Sequence, residues 1–270
     1  MAWTSPSTTE MPPPRAGEHV QSLERGLSVI RAFADEQQAL SLSDIARRTG
    51  LTRAAARRFL LTLVRLGYVH FDGRLFSLRP RVLDLGYAYL SSLGFPQVAQ
   101  PHLESLSAEI DESTSVSVLD ELDIVYVARA QTRRIMRISI AVGTRFPAHV
   151  TSMGRVLLAA LPAAELDALL DRIAPEHFTE RTVVGTDELR SLLAGVRRQG
   201  YAMVDRELED GLRSIALPIH DGAGDAVAAI NVSVPAASVP PERLRSTVLP
   251  KLRATAAAIE ADLRATGAAN

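Results

Sequence analysis

Two arginines that could bind phosphates or base edges lie one helical turn apart in the first quarter of the chain. Arg53 and Arg57 follow Thr52, a residue suited to cap a helix that extends to Leu66. Guanidinium groups form bidentate hydrogen bonds with phosphate and guanine, and the first turns of a recognition helix reach base edges. This spacing therefore predicts a DNA contact.

The segments around this helix have the pattern of a winged helix-turn-helix. Gln21–Phe33 and Asp44–Arg48 are predicted as helices, and Gly50 supplies the turn before the third helix. Tyr68–Phe71 and Arg74–Leu78 are β-prone runs joined by Asp-Gly, which indicates a hairpin. The predicted core faces are Leu23, Leu27 and Ile30 in the first helix and Ala55, Phe59, Leu63 and Leu66 in the third.

The candidate DNA contacts fall into two groups. For base edges they are Thr52, Arg53, Ala54 and Arg57; for phosphates they are Arg47, Arg48, Arg58 and Arg74. Gln21 and Arg25, from the first helix, complete the set. Any one arginine is also compatible with an ordinary solvated surface, but the order of cap, turn, arginine pair and wing favours DNA.

The charge distribution agrees with this interpretation. Residues 20–90 hold eleven arginines and six acidic residues, a balance of +5, whereas residues 91–270 hold eighteen basic and twenty-three acidic residues, a balance of −5. A basic front segment is expected where only that segment faces a polyanion.

A connecting helix is predicted after the wing. Pro80 suits a first helical turn, and Val82, Leu85, Tyr89 and Leu93 recur at helical spacing until Gly94-Phe95-Pro96. This stripe could pack on its own domain or on a second copy of the chain. We favour a homodimer, possibly paired into a tetramer, because a dimer lets two recognition helices bind two half-sites.

The remainder of the chain predicts an α+β domain with a largely antiparallel sheet, since short strands alternate unevenly with helices. The predicted helices are Gln97–Ile110, Thr151–Leu161, Ala163–Ile173, Asp187–Gln199 and Glu242–Arg264, the last interrupted by Pro250. The predicted strands are Ser115–Leu119, Ile124–Ala128, Met136–Val142, Tyr201–Val204, Ser214–Ile219 and Ala226–Val234.

The sequence offers few candidates for catalysis or metal binding. The chain has no cysteine, its six histidines are scattered, and the nucleophile-elbow, zinc-protease, P-loop and dinucleotide motifs are absent. Asp221 to Asp225 is predicted as a hairpin turn rather than a cation site. We therefore expect no cofactor and no metal.

One segment does predict an anion site. His149 to Arg155 leads into a helix with hydroxyls and a glycine at its start, where free N–H groups and the helix dipole attract anions. The nearby arginines that could add carboxylate contacts are Arg133, Arg134, Arg137 and Arg145. The alternative is that Thr151 or Ser152 only caps the helix and the arginines are surface residues.

Several segments resemble the IclR family of bacterial regulators. These are residues 21–30 (QSLERGLSVI), 42–46 (LSDIA), 50–60 (GLTRAAARRFL), 200–203 (GYAM) and 207–219 (ELEDGLRSIALPI). Residues 85–92 (LGYAYLSS), 130–136 (AQTRRIM) and 147–159 (PAHVTSMGRVLLA) resemble its PcaR/PcaU/PobR branch, which controls protocatechuate, 4-hydroxybenzoate and β-ketoadipate catabolism. The resemblance implies a GAF-like rear domain that binds a small aromatic acid or dicarboxylate.

The family's ligand pocket maps onto defined positions of this chain. The resemblance implies Ser152, Met153, Gly154, Leu212, Ser214, Asn231 and Ser233, to which we add His149, Thr151 and Asp205. Two positions depart from the family pattern: Val204, beside Asp205, replaces the common Asp or Ser, and Ser214 replaces a common Cys.

The sequence as a whole predicts a cytoplasmic transcriptional regulator that binds double-stranded operator DNA and a small carboxylate effector, without a membrane segment. Its predicted organisation is a disordered tail (1–19), a winged helix-turn-helix (20–79), a linker and dimerisation helix (80–96) and an effector domain (97–265). The alternatives are a hydrolase using Ser152 or Ser214 with His149, and a DNA-binding scaffold without effector.

Overall fold

The chain forms two structural units, which divide between Ser91 and Ser92. The computed structural model describes residues 19–34, 39–132, 140–174 and 176–266.

Three helices and a small sheet make up the first unit. α1 is Gln21–Arg31, α2 is Leu42–Thr49 and α3 is Arg53–Leu66. β1 (Val69–Phe71) and β2 (Phe76–Leu78) pair in antiparallel fashion. The predicted helix-turn-helix and the hairpin behind it are confirmed.

Local side chains fix the ends of these helices. Ser41 and Asp44 form a capping box: Asp44 N donates to Ser41 Oγ at 3.2 Å, and Ser41 N donates to Asp44 Oδ2 at 3.3 Å. Hydrogen bonds from Ser41 lower the pKa of Asp44. Gly50 ends α2 with φ of 66°, a conformation that costs glycine little. Thr52 Oγ1 then accepts from Ala55 N at 3.2 Å and begins α3.

The turn of the wing is held by one carboxylate. Asp72 Oδ1 accepts from the backbone N of Arg74 at 2.8 Å and of Leu75 at 2.7 Å, and these bonds lower the pKa of Asp72. Leu40 pairs with Phe76 through two backbone hydrogen bonds, so the segment before α2 extends the sheet by one bridge.

Of the predicted α1 stripe, only Ile30 packs against the core, where it is half-buried. Leu23 is 63% exposed and Leu27 is 42% exposed, whereas Val29 and Phe33 are buried. The helix carries two apolar stripes, and periodicity alone does not say which of them meets the core.

The buried face of α3 is shifted by about one residue from the predicted face. Ala56, Leu60 and Leu63 are buried, and Leu66 is 51% exposed. Of the remaining residues predicted for this face, Ala55 and Phe59 are half-buried. The predicted spacing is correct, but packing against α1 and α2 selects the neighbouring stripe.

A connecting helix follows the wing, as predicted. A 3₁₀ turn, Pro80–Val82, precedes α4, which is Leu83–Leu93. Within this chain, Leu85 and Tyr89 of the predicted stripe are exposed, and only Leu93 is buried.

α5, Phe95–Ile110, begins two residues before its predicted start. Pro96 lies in its first turn, where the missing N–H costs no intrahelical bond, so this proline begins a helix rather than separating two.

The second unit contains a six-stranded sheet in which every strand pair is antiparallel. Its strands are β3 (Ser113–Asp120), β4 (Asp123–Ala130), β5 (Arg145–Pro147), β6 (Ala202–Asp205), β7 (Leu212–His220) and β8 (Ala226–Pro235). Their order is β5-β4-β3-β8-β7-β6. The predicted α+β class with an antiparallel sheet is confirmed.

Helices cover both faces of this sheet. The remaining helices are α6 (Ser152–Ala160), α7 (Ala163–Leu170), α8 (Thr186–Gln199), α9 (Pro241–Arg243) and α10 (Leu249–Thr266). α5 and α10 contact one face, and α6, with α8 behind it, contacts the other.

The two faces differ in polarity, which is clearest in β3. Thr114, Val116 and Val118 point to the α5 side, where the Thr114 hydroxyl donates to the Leu103 carbonyl at 2.9 Å. Ser113, Ser115 and Ser117 point to the α6 side and are buried there. The sheet therefore has a polar face beneath α6.

Two predicted segments of this unit differ in the structure. Of the strand predicted at Met136–Val142, residues 136–139 lie outside the described residues and 140–142 are not in a strand; β5 pairs with β4 instead. The third α-helix of this unit, α7, ends at Leu170 rather than Ile173.

Pro250 does not interrupt the C-terminal helix as predicted. A π-helical segment, Leu244–Val248, precedes Pro250 and passes directly into α10. The wider turn changes the hydrogen-bond register just before the residue that lacks a donor.

Candidate effector cavity and nucleic-acid surface

The start of α3 presents an exposed polar and basic surface. The side chains of Thr52, Arg53, Ala54, Arg57 and Arg58 are all exposed on it. Gln21 and Arg25 are exposed on α1. The structure thus leaves these candidate DNA contacts accessible.

The other predicted phosphate contacts have different surroundings. Arg47 is exposed and pairs with Asp44 at 2.9 Å within α2. Arg48 donates to the Ala32 carbonyl at 2.9 Å, so its guanidinium links α2 to the end of α1. Arg74 is exposed beside the turn of the wing.

A small cavity of about 20 Å³ lies between the polar face of the sheet and the start of α6. The ten residues that line it are Tyr126, Val150, Thr151, Ser152, Val204, Leu208, Leu212, Ser214, Asn231 and Ser233. None of them carries a charge at neutral pH.

Hydroxyls and one amide make up the polar lining. Ser152 Oγ donates to Ser214 Oγ at 2.8 Å, and Asn231 Nδ2 donates to Ser233 Oγ at 3.0 Å. Asn231 Oδ1 is buried without a hydrogen-bond partner among the described residues. Burial raises the pKa of the Tyr126 phenol to about 12, so this group stays neutral. The lining therefore presents hydroxyl and amide groups that can form directed hydrogen bonds.

The serines of the cavity are not paired with histidine. Ser152 and Ser214 bond to each other, and Nε2 of His149 is buried without a partner in the described part of the chain. Burial, followed by the charge of Arg155, lowers the pKa of His149. A nucleophile needs its base within hydrogen-bond reach, and this arrangement does not provide one.

The backbone at the start of α6 lies in close contact with the turn that precedes it. Thr151 Oγ1 accepts from Gly154 N at 3.0 Å, which confirms Thr151 as the N-cap. Ser152 and Met153 lie in the first turn, where N–H groups have no intrahelical acceptor. A Cβ on Gly154 would lie 2.1 Å from the Ala148 carbonyl oxygen, so only glycine fits here.

Four residues from the predicted effector set do not line the cavity. Met153 belongs to α6, and its buried side chain faces the sheet, where the Ser117 hydroxyl contacts its sulfur at 3.3 Å. The backbone of Gly154 lies close to the Ala148 carbonyl. His149 lies in the 3₁₀ turn before α6. Asp205 points to the opposite face from Val204 and pairs with Arg213 at 2.7 Å and Arg181 at 3.1 Å.

The predicted arginines upstream of α6 do not supply a described carboxylate site. Arg133, Arg134 and Arg137 lie outside the described residues. Arg145 is a surface residue that already binds Asp120 and Asp123, at 2.5 Å and 3.2 Å.

Sequence reasoning missed four lining residues: Tyr126, Val150, Val204 and Leu208. The alternation of serine in β3 could have indicated a polar face, because residues two apart share one side of a strand. No local pattern signals Leu208, which reaches the cavity from the loop before β7.

The β7–β8 connection is the predicted hairpin turn. Asp221 Oδ1 accepts from the backbone N of Ala223 and of Asp225, each at 2.9 Å. The described residues include no group of acidic and histidine side chains arranged to hold a metal, and none of their helices is long and apolar enough to cross a membrane.

Two family models match most of the chain. Residues 22–73 match the IclR helix-turn-helix domain, and residues 87–261 match the domain described as bacterial transcriptional regulator IclR C-terminal.

Individual relatives agree with this match. The Pca regulon regulatory protein of Pseudomonas putida is 44% identical over 88% of this chain and 82% of its own. The crystal structure of a putative transcriptional regulator from Rhodococcus sp. RHA1 is 56% identical, with a TM-score of 0.83 over 92% of this chain and 100% of the other. An IclR homologue from Microbacterium hydrocarbonoxydans, solved with 4-hydroxybenzoate, is 28% identical, with a TM-score of 0.78 over 90% and 99%.

Proposed function

Because this chain belongs to the IclR family of bacterial transcriptional regulators, we propose that it controls genes of aromatic catabolism by sensing a small organic acid. The effector class is β-ketoadipate, protocatechuate or a related aromatic acid such as 4-hydroxybenzoate. The observation that carries the proposal is the cavity beneath α6, with its hydroxyls, its amide and its apolar walls.

The composition of the cavity suits a small ring with polar substituents. Tyr126, Val204 and Leu212 supply apolar surface, while Ser152 and Ser214 present hydroxyls that can donate or accept. The names of two relatives support this class: one regulates a Pca regulon, and another was solved with 4-hydroxybenzoate.

We propose that residues 20–79 bind DNA, residues 80–96 link the domains and residues 97–265 bind the effector. On this assignment the exposed start of α3 contacts base edges and Arg74 contacts a phosphate. An effector shifts operator affinity only through its different affinities for two arrangements of the protein.

Self-association forms part of the same proposal. Within two turns, α4 exposes four large apolar side chains: Leu83 at 69%, Leu85 at 51%, Tyr87 at 67% and Tyr89 at 47%. Clustered exposed apolar surface marks interaction sites, and a homodimer would cover it and place two recognition helices on a palindromic operator. Sedimentation of the full chain tests this: a monomer at micromolar concentration would contradict it.

The two alternatives have less support. A hydrolase would need a serine–histidine pair, and Ser152 and Ser214 instead bond to each other. An effector-independent scaffold has no use for a cavity with an unpartnered buried acceptor, Asn231 Oδ1. We therefore propose a cytoplasmic regulator without catalytic activity.

The test first identifies the DNA sequence that the protein binds. The full chain selects operators from a random duplex library, and its affinity for the selected site is measured with and without each acid. We expect at least one acid to change this affinity by roughly 5- to 150-fold, the usual range of coupling. Failure to select a sequence, or equal affinity with every acid, would contradict the proposal.

A further inference from the structure

We propose that Arg129 holds the carboxylate of the effector, an inference that rests on the proposed function and names the charged contact of its site. The cavity lining carries no positive charge, yet a buried carboxylate needs a cationic or multiply donating partner. Arg129 provides one from β4, on the same face of the sheet.

The register of the sheet places Arg129 on the cavity side. Arg129 is directly opposite Ser115 on β3, and Ser115 is directly opposite Asn231 on β8. Directly opposed residues of antiparallel strands point to the same face. Asn231 and Tyr126 both line the cavity, and Arg129 follows Tyr126 on β4 after a shift of register.

Contacts confirm that the guanidinium lies over this face. Arg129 Nη1 donates to Ser115 Oγ at 3.4 Å, and its Nε is buried with no hydrogen-bond partner among the described residues. Asn231, 3% exposed, has the second unpartnered buried atom on this row, Oδ1. The small side chain of Ser115 separates the two.

Two unpartnered polar atoms on one row are unusual, because buried polar groups are nearly always hydrogen-bonded. One of them is a charged donor and the other is an acceptor. A hydroxy acid such as 4-hydroxybenzoate satisfies both: the carboxylate accepts from Arg129, and the hydroxyl donates to Asn231 Oδ1. β-Ketoadipate, which has no hydroxyl, would satisfy only Arg129.

The electrostatics of Arg129 favour the binding of an anion. No carboxylate of the described residues pairs with it, and burial lowers the pKa of its guanidinium. A bound carboxylate would offset this desolvation, so binding at this position favours an acid over its neutral amide.

The test compares an acid with its own carboxamide by calorimetric titration of the full chain. The acid is whichever of protocatechuate, 4-hydroxybenzoate and β-ketoadipate binds the wild type most tightly. The variants are Arg129→Gln and Arg129→Lys, with Arg145→Gln as the control because Arg145 pairs with surface carboxylates. The acid-to-amide affinity ratio is taken within each variant and is therefore insensitive to its folded fraction.

We expect the wild type and Arg145→Gln to prefer the acid, and Arg129→Gln to reduce this preference by roughly 10- to 100-fold, the value of a charged hydrogen bond. Arg129→Lys should retain part of it. An unchanged ratio in Arg129→Gln, or a wild type that binds acid and amide equally, would overturn the role of Arg129 and leave the proposed function standing. A wild type that binds none of the three acids would overturn both.

Discussion

Arg155 and Glu207 form a bidentate ion pair inside the second unit, with Nη1 to Oε1 at 2.7 Å and Nη2 to Oε2 at 2.5 Å. The Arg155 side chain is 1% exposed and that of Glu207 is 9% exposed. Arg155 Nε also donates to the His149 carbonyl at 2.8 Å, and Glu207 accepts from Val183 N at 3.2 Å. The pair joins α6 to the loop that carries Leu208, and so connects two walls of the cavity.

Removing one partner should leave a buried charge without compensation. We expect Arg155→Met and Glu207→Leu each to lower the free energy of unfolding by about 3–5 kcal/mol in urea titrations. The double variant should recover part of this loss. Arg190→Met, which breaks an exposed pair with Asp167, is the control and should cost less than about 1 kcal/mol. Single variants as mild as this control would refute the structural role of the pair.

Two glycine-to-alanine substitutions should change the stability of the protein in opposite directions. Gly154→Ala places a methyl group against the Ala148 carbonyl, and overpacking of this kind costs about 1–3 kcal/mol. Gly195→Ala, in the middle of α8, meets its nearest heavy atom only at 3.9 Å and should stabilise the protein by about 0.5–1 kcal/mol. Thermal unfolding of the full chain measures both. Equal effects of the two alanines would be inconsistent with the close approach at α6.

His149 predicts a dependence of stability on pH. Its pKa is lowered in the folded chain by burial and by Arg155, so the unfolded chain takes up a proton at higher pH than the folded one. This contribution to stability is complete above about pH 6.5 and decreases as the pH falls through the folded pKa. His149→Gln should therefore show a shallower loss of unfolding free energy between about pH 7 and pH 5. His177→Gln, which changes an exposed histidine, should keep the wild-type slope; the same slope in all three proteins would disprove this prediction.

The basic surface of α3 predicts two kinds of DNA variant. Arg53→Ala and Arg57→Ala should weaken the selected operator by about 1–3 kcal/mol and relax its sequence preference, because base contacts specify. Arg74→Ala should weaken all sequences alike and reduce the salt slope by about one. Arg65→Ala, at the exposed far end of α3, serves as the control. Fluorescence anisotropy at several salt concentrations distinguishes these outcomes, and unchanged preference in Arg53→Ala and Arg57→Ala would exclude base contact by them.

Local patterns were sufficient for most elements of the fold. Ser41, Gly50, Thr52 and the Asp72 turn act through neighbours in sequence, and the helix-turn-helix and wing follow from them. Local patterns did not predict which face of a helix packs against the core. Leu23 is exposed because the other helices pack against a different stripe of α1. The local sequence does not specify which stripe is buried.

Some residues that line the cavity could be predicted from the sequence, and others could not. Ser152, Ser214 and Asn231 were found through resemblance, and the structure brings them to one site. Tyr126 and Leu208 were missed because they approach from β4 and from a loop far along the chain. Asp205 was misplaced because a strand sends neighbouring residues to opposite faces, and Val204 takes the cavity side.

The most direct test of an effector-controlled regulator is the coupling between the cavity and the operator. Ser214→Leu should fill the cavity while leaving the DNA-binding surface unchanged, so the variant should bind the selected operator without acid as the wild type does. The decisive quantity is the ratio of operator affinities with and without the tightest-binding acid. We predict a ratio that differs from one by roughly 5- to 150-fold in the wild type and returns to about one in Ser214→Leu. A ratio of one in the wild type, or an equal response in both proteins, would contradict an effector site beneath α6.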